Sequence, residues 1–253
     1  MTLDARIPDP RIADARIAIV TGGSQGIGLA VVKAFADRGM SVVAAARDRE
    51  RLEATMASLD PARRGRVAGI PVDVTQEASV RALVQATIDR FGRIDVVVNS
   101  AGVSMSARPR LVDTTSAEWH RLIDTNLTGT YLMCRETLPH LEKSPEAYVL
   151  NIQSTASYAS QPGVSLYAAS KYGVRALTEA LIEEYRNSCV RVTSVSPGPV
   201  DTTIWTHKIE PPSDERRALM LRPSDIADII VWVLDRPRHM HIPNITVTPW
   251  TGI

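Results

Sequence analysis

Cysteine is scarce in this 253-residue sequence, which contains only Cys134 and Cys189. The two lie far apart and form no C-x-x-C motif, so we expect reduced thiols in or near the core of a cytoplasmic protein. Long apolar runs are also missing, since none approaches the roughly 18 residues that a membrane span needs. The net charge of +1 argues against nucleic acid as a partner.

The remaining composition is typical of a soluble globular protein, with 44% hydrophobic and 23% charged residues. A chain of this length buries enough surface to need no disulfide or structural metal. The first residues contain prolines and acidic side chains but no apolar signal core. We therefore expect a flexible N-terminal lead-in over residues 1–14 and a single domain over residues 15–253.

Strand-like apolar segments alternate with helical patterns along most of the chain. These segments are RIAIV, SVVAAA, RVAGIPVDV, IDVVVNSAG, AYVLNIQS and VRVTSVSPG, and one helical pattern is continuous over residues 116–143. Continuous apolar strands with crossover helices predict an α/β fold: a Rossmann-like doubly wound parallel sheet with helices on both faces. Ligands of such sheets bind at the carboxyl ends of the strands, so the residues after each strand are the first site candidates.

A glycine-rich segment lies between the first strand and the first helix and reads Thr21-Gly22-Gly23-Ser24-Gln25-Gly26-Ile27-Gly28. Glycines allow a tight turn and let backbone N–H groups approach a pyrophosphate at the helix N-terminus. The segment is not a P-loop, because Leu29 stands where the lysine is required. The pattern predicts a dinucleotide site.

A tyrosine and a lysine, Tyr167 and Lys171, are four residues apart in the segment SLYAASKY. If the segment is helical, the two side chains share one face. When the pair is taken alone, a surface helix with an extended lysine is the more common explanation of this spacing. The other interpretation is a phenol whose pKa is lowered by the neighbouring ammonium.

Three motifs in register, T-G-x-x-x-G-x-G, N-S-A-G at residues 99–102 and Y-x-x-x-K at 167–171, resemble the short-chain dehydrogenase/reductase family. The resemblance extends from Ala15 to about Pro249 and implies an enzyme that transfers hydride between a nicotinamide cofactor and a small alcohol or carbonyl. It implies that Tyr167 is the general acid/base and that Lys171 lowers the pKa of its phenol and holds the nicotinamide ribose.

The resemblance also implies roles for Ser154, which lies thirteen residues before the tyrosine, and for Asn126. Ser154 would polarise the substrate oxygen, although a strand-end serine that caps a turn is the simpler interpretation. Asn126 would position a water that links Lys171 to solvent. Its place inside a predicted helix is unusual, because asparagine is a mediocre helix former.

Further positions carry over as cofactor contacts. The family's glycine-loop contacts fall on Gly22, Ser24, Gln25, Gly26, Ile27 and Gly28, the adenine contacts on Asp73 and Val74, and the later contacts on Asn99, Ala101, Gly102, Pro197, Gly198, Val200 and Thr202. Ser100 replaces an asparagine of the family pattern, which we expect to change local hydrogen bonding only.

Arg47 sets the expected cofactor preference. NAD-dependent relatives have an acidic residue at the end of the second strand, whereas Ala46 stands here and Arg47 follows it. A guanidinium binds a 2′-phosphate well, so we expect NADP to be preferred, with NAD as the alternative. The neighbouring carboxylate of Asp48 reduces the positive potential at Arg47. The competing interpretation is that Arg47 is only the polar start of a charged helix.

Other functions receive less support. The sequence contains no G-x-S-x-G hydrolase motif, and we expect His239 and His241 to be solvated rather than metal ligands. A non-catalytic dinucleotide-binding redox sensor is the alternative, but such proteins typically lack the tyrosine or the lysine. The ending RPRHMHIPNITVTPW weakly resembles dehydrogenases of small hydroxy acids and related alcohols.

The resemblance predicts two further features. Trp205 and His207 are candidates for the wall of the substrate pocket, because relatives have a mobile lid after the P-G segment. A surface loop with one packed tryptophan is the alternative. The helices around residues 116–140 and 166–186 carry the surfaces that relatives use for assembly, so we expect a homo-dimer or homo-tetramer.

Overall fold

A parallel sheet of seven strands lies at the centre of the computed structural model, which describes residues 16–251. The strand order is β3-β2-β1-β4-β5-β6-β7. The chain winds outward from β1 in one direction and then from β4 in the other, so the doubly wound prediction is confirmed. The expected lead-in over residues 1–14 lies outside the described residues. The strands are β1 Ile17–Thr21, β2 Ser41–Ala46, β3 Val67–Pro71, β4 Val96–Asn99, β5 Ala147–Ile152, β6 Val190–Pro197 and β7 Asn244–Val247.

Helices cover both faces of this sheet. They are α1 Gly26–Asp37, α2 Arg49–Ser58, α3 Pro61–Arg64, α4 Glu77–Phe91, α5 Ser116–Ile123, α6 Gly129–Leu141, α7 Ser165–Glu184, α8 Asp214–Ala218 and α9 Pro223–Leu234. None of these helices combines the length and the apolar character that crossing a bilayer requires.

Two apolar cores form because successive strand residues point to opposite faces of the sheet. Ala18 belongs to the core under α1 and α9, whereas Ile19 belongs to the core under α4, α6 and α7. Every residue of β1, β4 and β5 is buried, as continuous apolar runs require. Phe35 of α1 is fully buried, and such burial stabilises the fold by about 1.5–3 kcal/mol.

The helix predicted over residues 116–143 is interrupted. A π-helical turn over Asp124–Thr128 separates α5 from α6. The side chain of Asn126 leaves the helix surface and bonds Val103, and the Thr130 hydroxyl donates to the Asn126 carbonyl over 2.7 Å. Gly129 then packs so closely on Val74 that a Cβ there would lie 2.8 Å from its Cγ2. Single π-turns inside α-helices often occur at functional sites.

One strand at the sheet edge differs from the sequence-based expectation, and the two cysteines agree with it. Strand β7, at the edge of the sheet, was not predicted, and it pairs with β6 from Ser194↔Asn244 to Pro197↔Val247. Cys134 is a buried free thiol whose pKa is raised to about 12 by burial, and Cys189 is a half-buried free thiol, as expected.

Candidate active site

Tyr167 and Lys171 lie one turn apart at the start of α7, which begins at Ser165. The Lys171 Nζ lies over the Tyr167 ring, 5.9 Å from its centroid, and donates a hydrogen bond of 3.0 Å to the Ile152 carbonyl at the end of β5. Only 6% of Lys171 is exposed, so burial lowers the pKa of its ammonium to about 8. The surface-helix interpretation of this pair is therefore wrong for the lysine.

The Tyr167 phenol differs from the expectation. Burial raises its pKa, because the charged phenolate is disfavoured away from water, and hydrogen bonding with Ser154 lowers it only in part. In the chain by itself the pKa of the phenol is thus raised, whereas the expected lowering also included the positive nicotinamide ring of the oxidised cofactor. The phenol is held protonated at neutral pH.

Ser154 follows β5 and caps the single turn of 3₁₀ helix Thr155–Ser157, with its hydroxyl accepting from the Ala156 N–H over 3.1 Å. The capping interpretation is thus correct, and it is compatible with the position beside Tyr167. The cap fixes the hydroxyl at the carboxyl end of the sheet, near enough to the phenol to affect its pKa.

Asn126 ties three parts of the site together. Its Oδ1 accepts from the Val103 N–H over 2.8 Å, and its Nδ2 donates to the Val103 carbonyl and to the Ser170 hydroxyl over 3.0 and 2.9 Å. Ser170 in turn donates to the Tyr167 carbonyl over 2.7 Å. The loop after β4 is therefore locked to the first turns of α7. Ser170 was not predicted as a site residue, although its place between the tyrosine and the lysine was a signal.

The glycine segment forms a tight cradle at the N-terminus of α1. Gly22 has a φ of +67°, and a Cβ there would lie 3.0 Å from the Ser100 carbonyl oxygen. A Cβ on Gly28 would lie 2.3 Å from the Gly22 carbonyl oxygen. The Thr21 hydroxyl accepts from the N–H groups of Ser100 and Ala101, both over 3.1 Å, and so joins β1 to the loop after β4. This cradle fits a dinucleotide pyrophosphate, since backbone N–H groups and a helix N-terminus converge there.

One arginine directly after β2 and another in the first turn of α2 lie beside this cradle. Arg47 is exposed, and Ala46 before it is buried. Asp48 caps α2 by accepting from the Arg51 N–H over 3.0 Å and also pairs with the Arg51 guanidinium over 3.2 Å. Arg51 further donates to Gln25 Oε1 over 2.9 Å, which places a second cation on the glycine segment. Arg51 was not predicted as a site residue, because this contact joins residues 26 positions apart.

The segment after β6 closes the cleft from the other side. The Val200 carbonyl accepts from the Trp205 indole N–H over 2.8 Å, and the Gly198 N–H donates to the Val247 carbonyl over 2.7 Å. Thr202 faces the cradle, because its Cγ2 lies 3.3 Å from where a Cβ on Gly26 would stand. Pro197 ends β6.

The comparisons with known proteins agree with this geometry. The family model for short chain dehydrogenases matches residues 16–212. The chain belongs to the short-chain dehydrogenase family. It is 34% identical over 235 residues to an uncharacterized oxidoreductase of Staphylococcus epidermidis, covering 92% of this chain and 97% of that protein.

Solved structures of short-chain dehydrogenases have a similar fold. An alcohol dehydrogenase from the archaeon Thermococcus sibiricus, complexed with 5-hydroxy-NADP, has a TM-score of 0.83 at 28% identity and covers 92% of this chain and 96% of that chain. A short chain dehydrogenase/reductase from Burkholderia phymatum, in complex with NAD, has a TM-score of 0.82 at 26% identity and covers 92% and 89%.

Some side chains at positions expected to contact the cofactor point away from the cleft. The Asn99 amide donates to Asn151 Oδ1 over 2.8 Å inside the sheet, and Val74 packs its side chain against Gly129. Asn99 and Val74 could therefore contact a cofactor only through their backbone atoms. One carboxylate oxygen of Asp73 is already engaged, because its Oδ1 accepts hydrogen bonds from the Thr75 N–H and the Thr75 hydroxyl over 3.0 and 2.8 Å.

The predicted lid forms a short 3₁₀ turn, Thr203–Trp205, and continues over the loop after β4. Its Ile209 N–H donates to the Ser106 carbonyl over 2.9 Å, and Lys208 Nζ donates to Ser104 Oγ over the same distance. Trp205 is half-buried and Lys208 lies 5.7 Å from its ring, whereas His207 is exposed. His241 is engaged by the Val192 carbonyl at 2.8 Å.

Proposed function

We propose that this short-chain dehydrogenase is an NAD(P)-dependent oxidoreductase that interconverts a small secondary alcohol and its carbonyl, with Tyr167 as general acid/base. The observation that carries the proposal is the junction of Tyr167, Ser154 and buried Lys171 at the end of β5, next to the glycine cradle. An acid, a hydrogen-bond donor and a buried cation at the end of a parallel sheet are the groups that this chemistry needs.

Each side chain has a separate task. When bound, the nicotinamide supplies or accepts the hydride. In the direction of reduction the Tyr167 phenol donates its proton to the carbonyl oxygen, and the raised pKa keeps that proton available at neutral pH. Ser154 donates a hydrogen bond to the same oxygen. In oxidation the steps reverse: Tyr167 first releases its proton, and the phenolate then takes the proton of the alcohol. Lys171 holds the ribose hydroxyls, and Asn126 positions a water toward the lysine.

We propose that NADP is preferred over NAD. Arg47 is exposed and follows a residue without a carboxylate, and Arg51 adds a second guanidinium beside Gln25. The carboxylate of Asp48 is engaged by Arg51, which limits its repulsion of a 2′-phosphate. The Thermococcus sibiricus relative holds an NADP derivative and the Burkholderia phymatum relative holds NAD, so both cofactors occur among similar structures.

The direct test is a substrate screen with the purified protein. Hydroxy acids, sugars, aliphatic secondary alcohols and steroids, and the matching carbonyls, would be offered with NADP(H) and with NAD(H), and turnover read at the nicotinamide absorbance. We expect cofactor-dependent turnover of at least one small substrate. Tight cofactor binding without turnover across the panel would favour the alternative, a non-catalytic redox-sensing regulator.

We further propose a cytoplasmic homo-dimer or homo-tetramer. The helices expected to carry the interface expose Trp119 on α5, Tyr131 on α6 and Tyr172 on α7, each about two-fifths accessible. Large exposed aromatic side chains are typical of interfaces. Size-exclusion chromatography with light scattering tests the assembly, and a purely monomeric protein would contradict it.

A further inference from the structure

Two cationic side chains from other elements bond the loop after β4, at the lid side of the candidate active site, and a third belongs to the loop itself. Lys208 of the lid donates to Ser104 Oγ over 2.9 Å and to the Met105 carbonyl. Arg121 of α5 donates to the carbonyl of the same Ser104 over 3.1 Å. Arg108, on the loop itself, donates to Gln161 Oε1 over 3.4 Å. Three different elements thus bring positive charge to one place.

No carboxylate neutralises this cluster among residues 16–251. The ion pairs of the described chain involve other arginines, and none includes Lys208, Arg121 or Arg108. The pKa of Lys208 is lowered, first by burial and then by repulsion from Arg108 and Arg121. Like charges held together without a counterion disfavour the folded arrangement, and a bound anion relieves that repulsion.

The cluster borders the reacting groups. Val103, one residue before Ser104, packs with Tyr167 in a small apolar cluster that also contains Met105, Leu122 and Leu166. Gly102 is next to the lysine, since a Cβ there would lie 3.7 Å from Lys171 Nζ. A substrate oxygen at Tyr167 would therefore leave the rest of a small molecule against this apolar wall, with the cations at its rim.

We propose that this protein selects small substrates that carry a carboxylate, and that Lys208 and Arg121 bind it while Arg108 adds to the positive field. The inference rests on the proposed oxidoreductase function and specifies its substrate class as short hydroxy acids and their keto acids. Lys208 makes the recognition dependent on the lid, because the same side chain that closes the lid on Ser104 and Met105 meets the anion. A neutral alcohol of equal size lacks this interaction.

The test compares β-hydroxybutyrate with its methyl ester, which removes the charge and keeps the alcohol. We expect the wild-type protein to show a kcat/KM for the acid at least about tenfold above that for the ester, as a charge-assisted hydrogen bond provides. Lys208→Gln and Arg121→Gln should each remove most of this ratio by lowering the value for the acid, with the ester changed less than about twofold. Lys208→Arg should retain the ratio. Arg110→Gln, an equal charge change at an exposed residue of the neighbouring turn, is the control and should leave it unaltered.

The outcomes separate this inference from the proposed function. Turnover of neutral alcohols or carbonyls without any preference for the acid overturns the inference and leaves the function standing. If nothing in the panel is turned over, the function fails, and calorimetric titration of β-hydroxybutyrate and its ester decides the inference. Binding of the acid that Lys208→Gln abolishes supports it, and equal or absent binding of acid and ester overturns it.

Discussion

Lys171 is expected to lower the stability of the fold while serving the site, and Lys171→Met tests this. Burial lowers the pKa of its ammonium from 10.5 to about 8. At pH 7 the folded state must carry the charge against this preference, at a cost of about 3 kcal/mol. Removing the lysine also removes its hydrogen bond to the Ile152 carbonyl, which opposes the gain by about 1–3 kcal/mol. We therefore expect Lys171→Met to be as stable as wild type at pH 7 or up to about 2 kcal/mol more stable.

The sign of the pH dependence follows from which state binds the proton. Between pH 8 and 10.5 the unfolded lysine is still protonated and the folded one is not, so wild-type stability rises with pH relative to the variant. Below pH 8 the penalty is complete, and above 10.5 it is absent. Urea unfolding at pH 7 and at pH 10, with Lys143→Met at an exposed position as control, measures the difference. The reasoning is refuted if the variant loses more than about 1 kcal/mol at pH 7, or if the difference does not change with pH.

Three further outcomes are expected. Lys171→Met should weaken cofactor binding and move the pH optimum of turnover upward. Titration calorimetry and a pH profile of turnover measure these changes, and a variant in which neither changed would contradict the role of the lysine. Arg47→Ala should reduce the NADP/NAD ratio of kcat/KM by about tenfold or more. Arg51→Ala should reduce it by a smaller factor, because Asp48 partly neutralises the Arg51 guanidinium. An unchanged ratio in Arg47→Ala would refute the proposed preference for NADP. Gly28→Ala should lower the free energy of unfolding by at least about 2 kcal/mol, because the new Cβ would lie 2.3 Å from the Gly22 carbonyl oxygen. A denaturation midpoint equal to that of wild type would show that the cradle relaxes freely.

The elements that were predictable from the sequence are those specified by local patterns. Strands such as SVVAAA are apolar on both faces, and β2 occupies all six of those residues. The proximity of Tyr167, Lys171 and Ser154 was predictable because each follows or lies near the end of a strand. The carboxyl ends of parallel strands lie at one edge of the sheet.

The features that were missed depend on contacts between distant residues. The π-turn at Asn126 follows from its bonds to Val103, 23 positions away, which no helical pattern reveals. Strand β7 is short and alternates exposed with half-buried residues at a sheet edge, so it has no continuous apolar run. The raised pKa of Tyr167 depends on its burial, which becomes visible only once the loop after β4 has packed against α7.

Proton transfer by Tyr167 is the central claim, and the turnover of Tyr167→Phe tests it most directly. The substitution removes the transferable proton and keeps the ring, so we predict a loss of about two to four orders of magnitude in turnover with cofactor affinity little changed. Tyr172→Phe, at an exposed position on the same helix, is the matched control and should keep its activity. A Tyr167→Phe protein that retained more than about a tenth of wild-type turnover, with chemistry shown to limit the rate, would contradict the account.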